Sequence, residues 1–369
     1  MKIAFSIPGL NWKPALFQVT LTLFFMNLIR SGFLTSKIIT VLIWSVYCGS
    51  VYAQESGSAA TSAMTGYPQV EWIKSWPSKE SGQHSRSFKE YLNSIFFGIQ
   101  RTELLNPVAV LAENPAGFMI LDQGNQTMFQ VDDEVGDIPQ SVLKSDFPMS
   151  SLVGLCYGPD SSILFTDSKS GSIYKIVPGK KKLRLLNDTL KLDQPTGIAF
   201  DPVRKEIFVI ETRSHRICVL NENGALIRRI GIRGNGTGEF NYPTHLWISK
   251  QGNIYVTDAM NFRIQVLDHE GRVISVFGEA GDATGYLARP KGIATDSSGN
   301  IYIVDALFHA IQVFNIKGVF LYSFGKQGHG NGEFWMPSGI CIDDHDFIYV
   351  ADTYNSRIQV FHLIQKEKE

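Results

Sequence analysis

Cysteine is scarce in this chain of 369 residues, with four in all. Cys48 falls in an apolar N-terminal stretch, and Cys156, Cys218 and Cys341 are odd in number with no Cys-x-x-Cys spacing. That pattern encodes neither a c-type haem attachment nor a dithiol redox pair. Long hydrophobic runs are missing as well: the two apolar patches near the N-terminus fall short of the roughly 18–20 residues that a membrane helix needs. No stable membrane span is therefore expected. Charge of one sign is also lacking, since 34 Lys and Arg stand against 35 Asp and Glu. A Gly-x-Ser-x-Gly elbow and a phosphate loop are absent, which removes the commonest signatures of serine hydrolases and nucleotide enzymes.

What the chain does have is repetition. An acidic residue returns at Asp122, Asp167, Glu211, Asp258, Asp305 and Asp352, at spacings of 45, 44, 47, 47 and 47. Around it the later units read alike: Pro290-Lys-Gly-Ile-Ala, Ile301-Tyr-Ile-Val-Asp305 and Ile311-Gln-Val-Phe314, then Pro337-Ser-Gly-Ile-Cys341, Ile348-Tyr-Val-Ala-Asp352 and Arg357-Ile-Gln-Val-Phe361. Two preceding units carry Pro243-Thr-His-Leu-Trp247 and Pro195-Thr-Gly-Ile-Ala199 in the first slot. Short β-branched and aromatic runs split by Gly, Asn, Asp and Pro are strands. Asn221-Glu-Asn-Gly224, Asp268-His-Glu-Gly271 and Asn315-Ile-Lys-Gly318 place Gly where a short hairpin calls for positive φ. Four antiparallel strands in about 47 residues leave no room for a crossover helix, so each unit is a propeller blade. Blades bury their faces only against each other.

The units lack the Trp-Asp pair of WD40 blades and the Gly-Gly pair of kelch. Gly-Ile-Ala, Ile-Tyr-Val-x-Asp and Arg-Ile-Gln-Val-Phe instead resemble the NHL repeat, most strongly over residues 192–361. The whole arrangement is similar to bacterial exported NHL-repeat proteins, and it implies an all-β, six-bladed propeller. The sixth unit runs out after Phe361, with only His362 to Glu369 left. An isolated run, Val70-Glu-Trp-Ile-Lys-Ser-Trp76, is expected to supply its missing fourth strand and close the ring. Between that strand and the first blade, Phe88, Tyr91, Leu92, Ile95 and Phe96 follow helical spacing and predict a short amphipathic helix.

Residues 38–47 form an apolar core preceded by Arg30 and Lys37, and Val51-Tyr-Ala53 is a small-x-small cleavage site. Residues 1–53 therefore read as an export signal, whose start is expected at Met26, with Gln54 the first mature residue. A lipoprotein reading through Cys48 fails on bulky Tyr47. The expected layout is a signal over 1–53, a linker over 54–67, the closing strand and helix over 68–100, the propeller over 101–363 and a tail over 364–369. The destination is periplasmic or secreted. Without residues 1–53 the chain holds 30 basic and 35 acidic residues, a net charge near −5. Nucleic acid is not expected as a partner, because duplex binding rests on phosphate neutralisation.

A group repeated in every blade usually serves the fold. Arg216, Arg263 and Arg357 each follow an acid by five residues, so Glu211–Arg216, Asp258–Arg263 and Asp352–Arg357 are expected as structural pairs across a hairpin. His245 departs from the pattern: it stands where Gly154, Gly197, Gly292 and Gly339 stand elsewhere, on the innermost strand with Trp247 two residues on. These two are the channel candidates. One histidine falls short of the three protein ligands that zinc takes, so no metal, cofactor or catalytic residue is assigned. Loops between second and third strands share a face with the inter-blade loops. That face carries Arg213, His215, Arg233, Asn261, Phe262, Phe308, His309, Lys326, His329, Tyr354 and Asn355; the opposite face carries Glu222, Asp268, Glu270, Asp343, Asp344 and Asp346. Aromatic and basic groups suit protein recognition better than an acidic rim. The chain thus reads as a non-enzymatic recognition scaffold for a protein or cell-envelope component. The alternative is a metal-dependent lyase or lactonase acting in the central channel.

Overall fold

A computed structural model describes residues 68–77, 103–114, 117–132, 140–141, 149–177 and 180–364. The predicted signal, the linker and the helix over 88–97 lie outside the described residues. The described residues form six four-stranded antiparallel sheets. Blade 1 is built from Pro107–Asn114, Gly117–Asp122, Thr127–Asp132 and Gln140–Ser141. Blade 2 takes Leu152–Tyr157, Ile163–Asp167, Ser172–Val177 and Lys180–Leu185, and blade 3 takes Pro195–Asp201, Glu206–Glu211, Arg216–Asn221 and Leu226–Ile230. Blade 4 follows with Pro243–Ile248, Ile254–Asp258, Arg263–Leu267 and Val273–Phe277, and blade 5 with Pro290–Thr295, Ile301–Asp305, Ala310–Phe314 and Phe320–Phe324.

Blade 6 contributes only Ile340–Ile342, Phe347–Asp352 and Arg357–Ile364 in sequence. Its fourth strand is Gln69–Trp76, paired antiparallel with Arg357–Ile364 from Gln69 opposite Ile364 to Trp76 opposite Ile358. The ring is closed by the N-terminal strand, which covers the edge that Arg357–Ile364 would otherwise present.

Second strands such as Ile301–Asp305 are buried at every residue. They are apolar without alternation because both of their faces meet a neighbouring blade. Outer strands such as Val273–Phe277 alternate half-buried with exposed. Each core is shared between blades: Phe208 and Ile210 of blade 3 pack with Leu246 and Val256 of blade 4, and Tyr349 and Ile358 of blade 6 with Phe118 and Ile120 of blade 1. Thr212 Oγ1 donates to the Pro243 carbonyl and Thr353 Oγ1 to that of Pro107, both at 2.8 Å, stitching one blade to the next.

The glycine of the Gly-Ile-Ala motif has a steric origin. A Cβ on Gly154 would sit 2.2 Å from the Thr196 carbonyl oxygen, and one on Gly197 would sit 2.8 Å from Cα of His245. At that level the innermost strands of blades 2, 3 and 4 touch backbone to backbone. Blade 4 departs from this by carrying His245 there.

Candidate functional site

The six repeated carboxylates are all buried. Arg216 Nε donates to Glu211 at 2.7 Å, Arg263 Nε to Asp258 at 2.8 Å and Arg357 Nε to Asp352 at 2.7 Å. Each also accepts a backbone amide from the preceding inter-blade loop: Asp193 to Glu211, Asn241 to Asp258 and Trp335 to Asp352. Blade 5 has Ala310 in place of Arg, and Asp305 there takes four amides instead, from Ala288, Arg289, Leu307 and Phe308. These acids spend their lone pairs on the loops around them. Among the described residues, no group of three His, Cys, Asp or Glu comes together as a metal site.

A second clamp escaped the sequence reading. Gln265, Gln312 and Gln359 are buried in the third strands of blades 4 to 6. Each side chain accepts an inter-blade glycine amide, from Gly238, Gly285 and Gly332, at 3.0, 2.8 and 3.0 Å, and donates back to the same loop. Arg263 and Arg357 each add three hydrogen bonds to carbonyls of those loops. The sole hint in the sequence was a glutamine inside an apolar run, Ile-Gln-Val. The loops entering blades 4 to 6 are thus held by buried side chains.

On the face formed by these loops, here the lower face, the candidate residues divide. Arg213, Arg233, Lys326, His329 and Tyr354 are exposed. Arg213 lies 3.5 Å from Asp193 and Lys326 3.3 Å from Glu333. Asn261 and Asn355 donate to Asp258 and Asp352 and to the carbonyls of Gly234 and Gly328. The rings of His215 and His309 turn into the fold, where each Nδ1 accepts an amide, from Tyr242 at 3.1 Å and Met336 at 3.0 Å. Burial, first of all, holds both imidazoles below the usual histidine range. Phe262 is half-buried against the core between blades 4 and 5, and Phe308 is half-buried too.

The turn position two residues past each repeated acid is exposed in every blade. It holds Gly124, Lys169 and Arg213 in blades 1 to 3, and Met260, Leu307 and Tyr354 in blades 4 to 6. Those three apolar side chains are 54, 57 and 58% exposed. Trp335, 6.0 Å from the Tyr354 ring and also against His329, extends the patch, as do exposed Tyr242 and Tyr286 on the inter-blade loops. The lower face of blades 4 to 6 therefore presents an arc of exposed apolar side chains, here the crescent, beside the clamped inter-blade loops.

The second candidate is an axial cavity of about 380 Å³. His245 and the glycines at its level line one end, and Lys250 and Asp344, 2.8 Å apart, line the upper one. Trp247 donates its indole N–H to Thr295 Oγ1 at 3.0 Å, and His245 Nδ1 lies 3.1 Å from Thr244 Oγ1. Burial, with the Lys291 charge behind it, pushes His245 down to about 3, so the imidazole is neutral at ordinary pH. Asp296 and Asp343 at the upper end are each bound to two turn amides and a tyrosine hydroxyl. Cys156, Cys218 and Cys341 are buried thiols, Cys218 pushed up to about 11 and Cys341 to about 12 chiefly by desolvation. None is poised as a nucleophile.

Family models match parts of the chain: an NHL repeat over 334–361, a 6-bladed beta-propeller over 187–279 and a beta-propeller repeat over 277–304. Comparison with curated proteins gives no significant match. Among solved structures, a catalytically inactive virginiamycin B lyase from Staphylococcus aureus with quinupristin is similar at 15% identity and TM-score 0.54, covering 72% of this chain and 97% of that one. An auxiliary nutrient binding protein from Bacteroides thetaiotaomicron is similar at 14% identity and TM-score 0.57, covering 71% and 70%. At such identities the likeness is one of fold.

Proposed function

Starting from an NHL-type six-bladed β-propeller, we propose that this protein is an exported, non-enzymatic recognition scaffold that binds a protein or cell-envelope partner through its lower face. The observation that carries this reading is the crescent of Met260, Leu307 and Tyr354. Three equivalent turn positions in consecutive blades expose large apolar side chains, whereas the other three carry Gly, Lys and Arg. Large apolar side chains exposed on rigid turns are what a protein interface uses, and aromatic anchors such as Tyr354 and Trp335 dominate such interfaces. The clamps lower the ordering cost of binding, because the loops need not be fixed anew. Exposed Arg213, Arg233 and Lys326 form a polar surround. Export rests on the N-terminal segment read from the sequence. No helix among the described residues is long and apolar enough to cross a membrane.

The test is affinity capture from cell-envelope extract, comparing the wild type with a Met260→Ser, Leu307→Ser, Tyr354→Ser variant whose melting temperature is unchanged. A partner retained by the first and lost by the second supports the reading, and equal retention overturns it.

A second reading keeps the axial cavity as a small-molecule site. Its volume lies within the range of ligand pockets, with Trp247 and Thr295 as aromatic and polar wall. The similar solved structures include both a lyase and a nutrient binding protein. A tightly held calcium or zinc in the purified chain would favour the metal-dependent lyase or lactonase form of this alternative.

A further inference from the structure

Charge is distributed unevenly around the lower end of the channel. Lys291 is the second residue of blade 5's innermost strand, and its equivalents in the other blades are Val108, Val153, Thr196, Thr244 and Ser338. Arg289 immediately precedes that strand, where the other blades have Asn106, Ser151, Gln194, Tyr242 and Met336. One blade of six therefore carries two cations at the lower end of its innermost strand, outside the cavity lining but with the Lys291 charge acting on His245 of the channel wall. Arg289 is exposed and Lys291 half-buried, and neither side chain has a partner among the described residues. The repeated carboxylate of the same blade, Asp305, is already committed to four backbone amides.

A half-buried ammonium with a like charge two residues away and no counter-ion is unfavourable for the folded chain. Burial and then the Arg289 charge hold Lys291 below the usual lysine range. An anion arriving between the two would relieve both costs. The position also adjoins the apolar crescent, because the amides of Arg289 and Leu307 share one oxygen of Asp305, at 3.0 and 3.2 Å.

We propose that Lys291 and Arg289 form a carboxylate-binding pair at the lower mouth of the channel, which receives an acidic side chain of a protein partner whose apolar neighbours lie on Leu307, Met260 and Tyr354. This inference rests on the recognition reading given above and names the chemistry of the partner: an acidic, apolar peptide segment. The guanidinium offers a planar fork for a carboxylate, and the ammonium a point charge deeper in the mouth.

The test uses the full chain and three labelled probes: a short peptide alternating Glu with Leu and Phe, its Gln-for-Glu counterpart, and a uridine oligonucleotide. Fluorescence anisotropy is expected to show the acidic peptide binding at least about tenfold more weakly to the Lys291→Gln, Arg289→Gln variant than to the wild type, and more weakly as salt rises. The Gln peptide should bind the two proteins alike. The Leu307→Ser, Met260→Ser variant should lose both peptides. Acidic-peptide binding that survives the charge variant but falls in the apolar variant overturns the pair and leaves the recognition face standing. Dependence on the cations with none on the crescent overturns the recognition reading. Absence of peptide binding by the wild type, or preference for the oligonucleotide, overturns the proposed partner chemistry.

Discussion

The indole Nε1 of Trp72 donates to Oε1 of Gln359 at 3.1 Å, joining residues 287 apart in the chain. The same glutamine oxygen accepts the amide of Gly332, so ring closure and loop clamping meet at one side chain. Four residues on, Trp76 is buried in the core that joins blades 6 and 1, with Phe118 edge-on at 6.4 Å.

Closure of this kind makes a short segment disproportionately important. Replacing Trp76 by Ala should cost about 3–5 kcal/mol, lowering the melting temperature by roughly 5–15 °C. Deleting residues 68–77 should lower it further and promote self-association through the bared edge of Arg357–Ile364. Calorimetry with light scattering checks both, and an unchanged melt would contradict closure by this strand.

The clamp predicts a contrast between two arginines. Arg263→Ala strands the buried Asp258 and frees three loop carbonyls, for a loss of about 3–5 kcal/mol. Arg272, paired with Asp268 and Glu270 on the exposed upper face, should cost far less on the same change, because water screens an exposed pair. Urea unfolding at neutral pH measures both; equal losses would show that the loops are held by something else.

Close contact at the inner edge makes Gly197 intolerant. Its Cβ would press on backbone atoms of His245 and Leu246 at 2.8 Å, and backbone cannot swing aside as a side chain can. Gly197→Ala should destabilise by about 1–3 kcal/mol. A neutral effect would mean that blades 3 and 4 can spread at that level.

Much of this was visible in the amino-acid order because a propeller repeats its solution six times. The acid at a fixed beat gave six-fold information, the Pro and Gly that open blades 3, 5 and 6 gave the repeat its wording, and the orphan run ending at Trp76 gave the seam. The lower face was harder to read. Aromatic identity suggested Phe262 and Phe308 as exposed, yet Phe262, like His215, His309 and Ser356, takes a left-handed turn conformation just before the third strand, and none of the four is fully exposed. Met260 and Leu307, one register step away, carry the exposure, and in an isolated sequence they look like core residues. The buried glutamines were equally hidden, because their partners are loop amides and carbonyls more than twenty residues away.

Protonation supplies a separate check. The folded pKa of His245 lies below its unfolded value near 6.5, so the unfolded chain takes up the proton first as pH falls. Stability from this group is complete above about 6.5 and declines toward about 3, by at most about 1.4 kcal/mol per pH unit for one proton. His215 and His309, also lowered, act in the same direction. A His245→Asn variant should show a shallower fall in melting temperature between pH 6.5 and 4 than the wild type. Identical slopes would contradict a neutral imidazole at the channel wall.

Recognition through the lower face is tested most directly by covalent capture. A photo-crosslinking amino acid at position 307, on the crescent, is compared with one at position 203, where Val203 is 82% exposed in an upper-face loop of blade 3. Irradiation in cell-envelope extract should yield one discrete, saturable adduct from position 307 and none from position 203. An adduct from position 203 alone, or none from either position, would contradict the account.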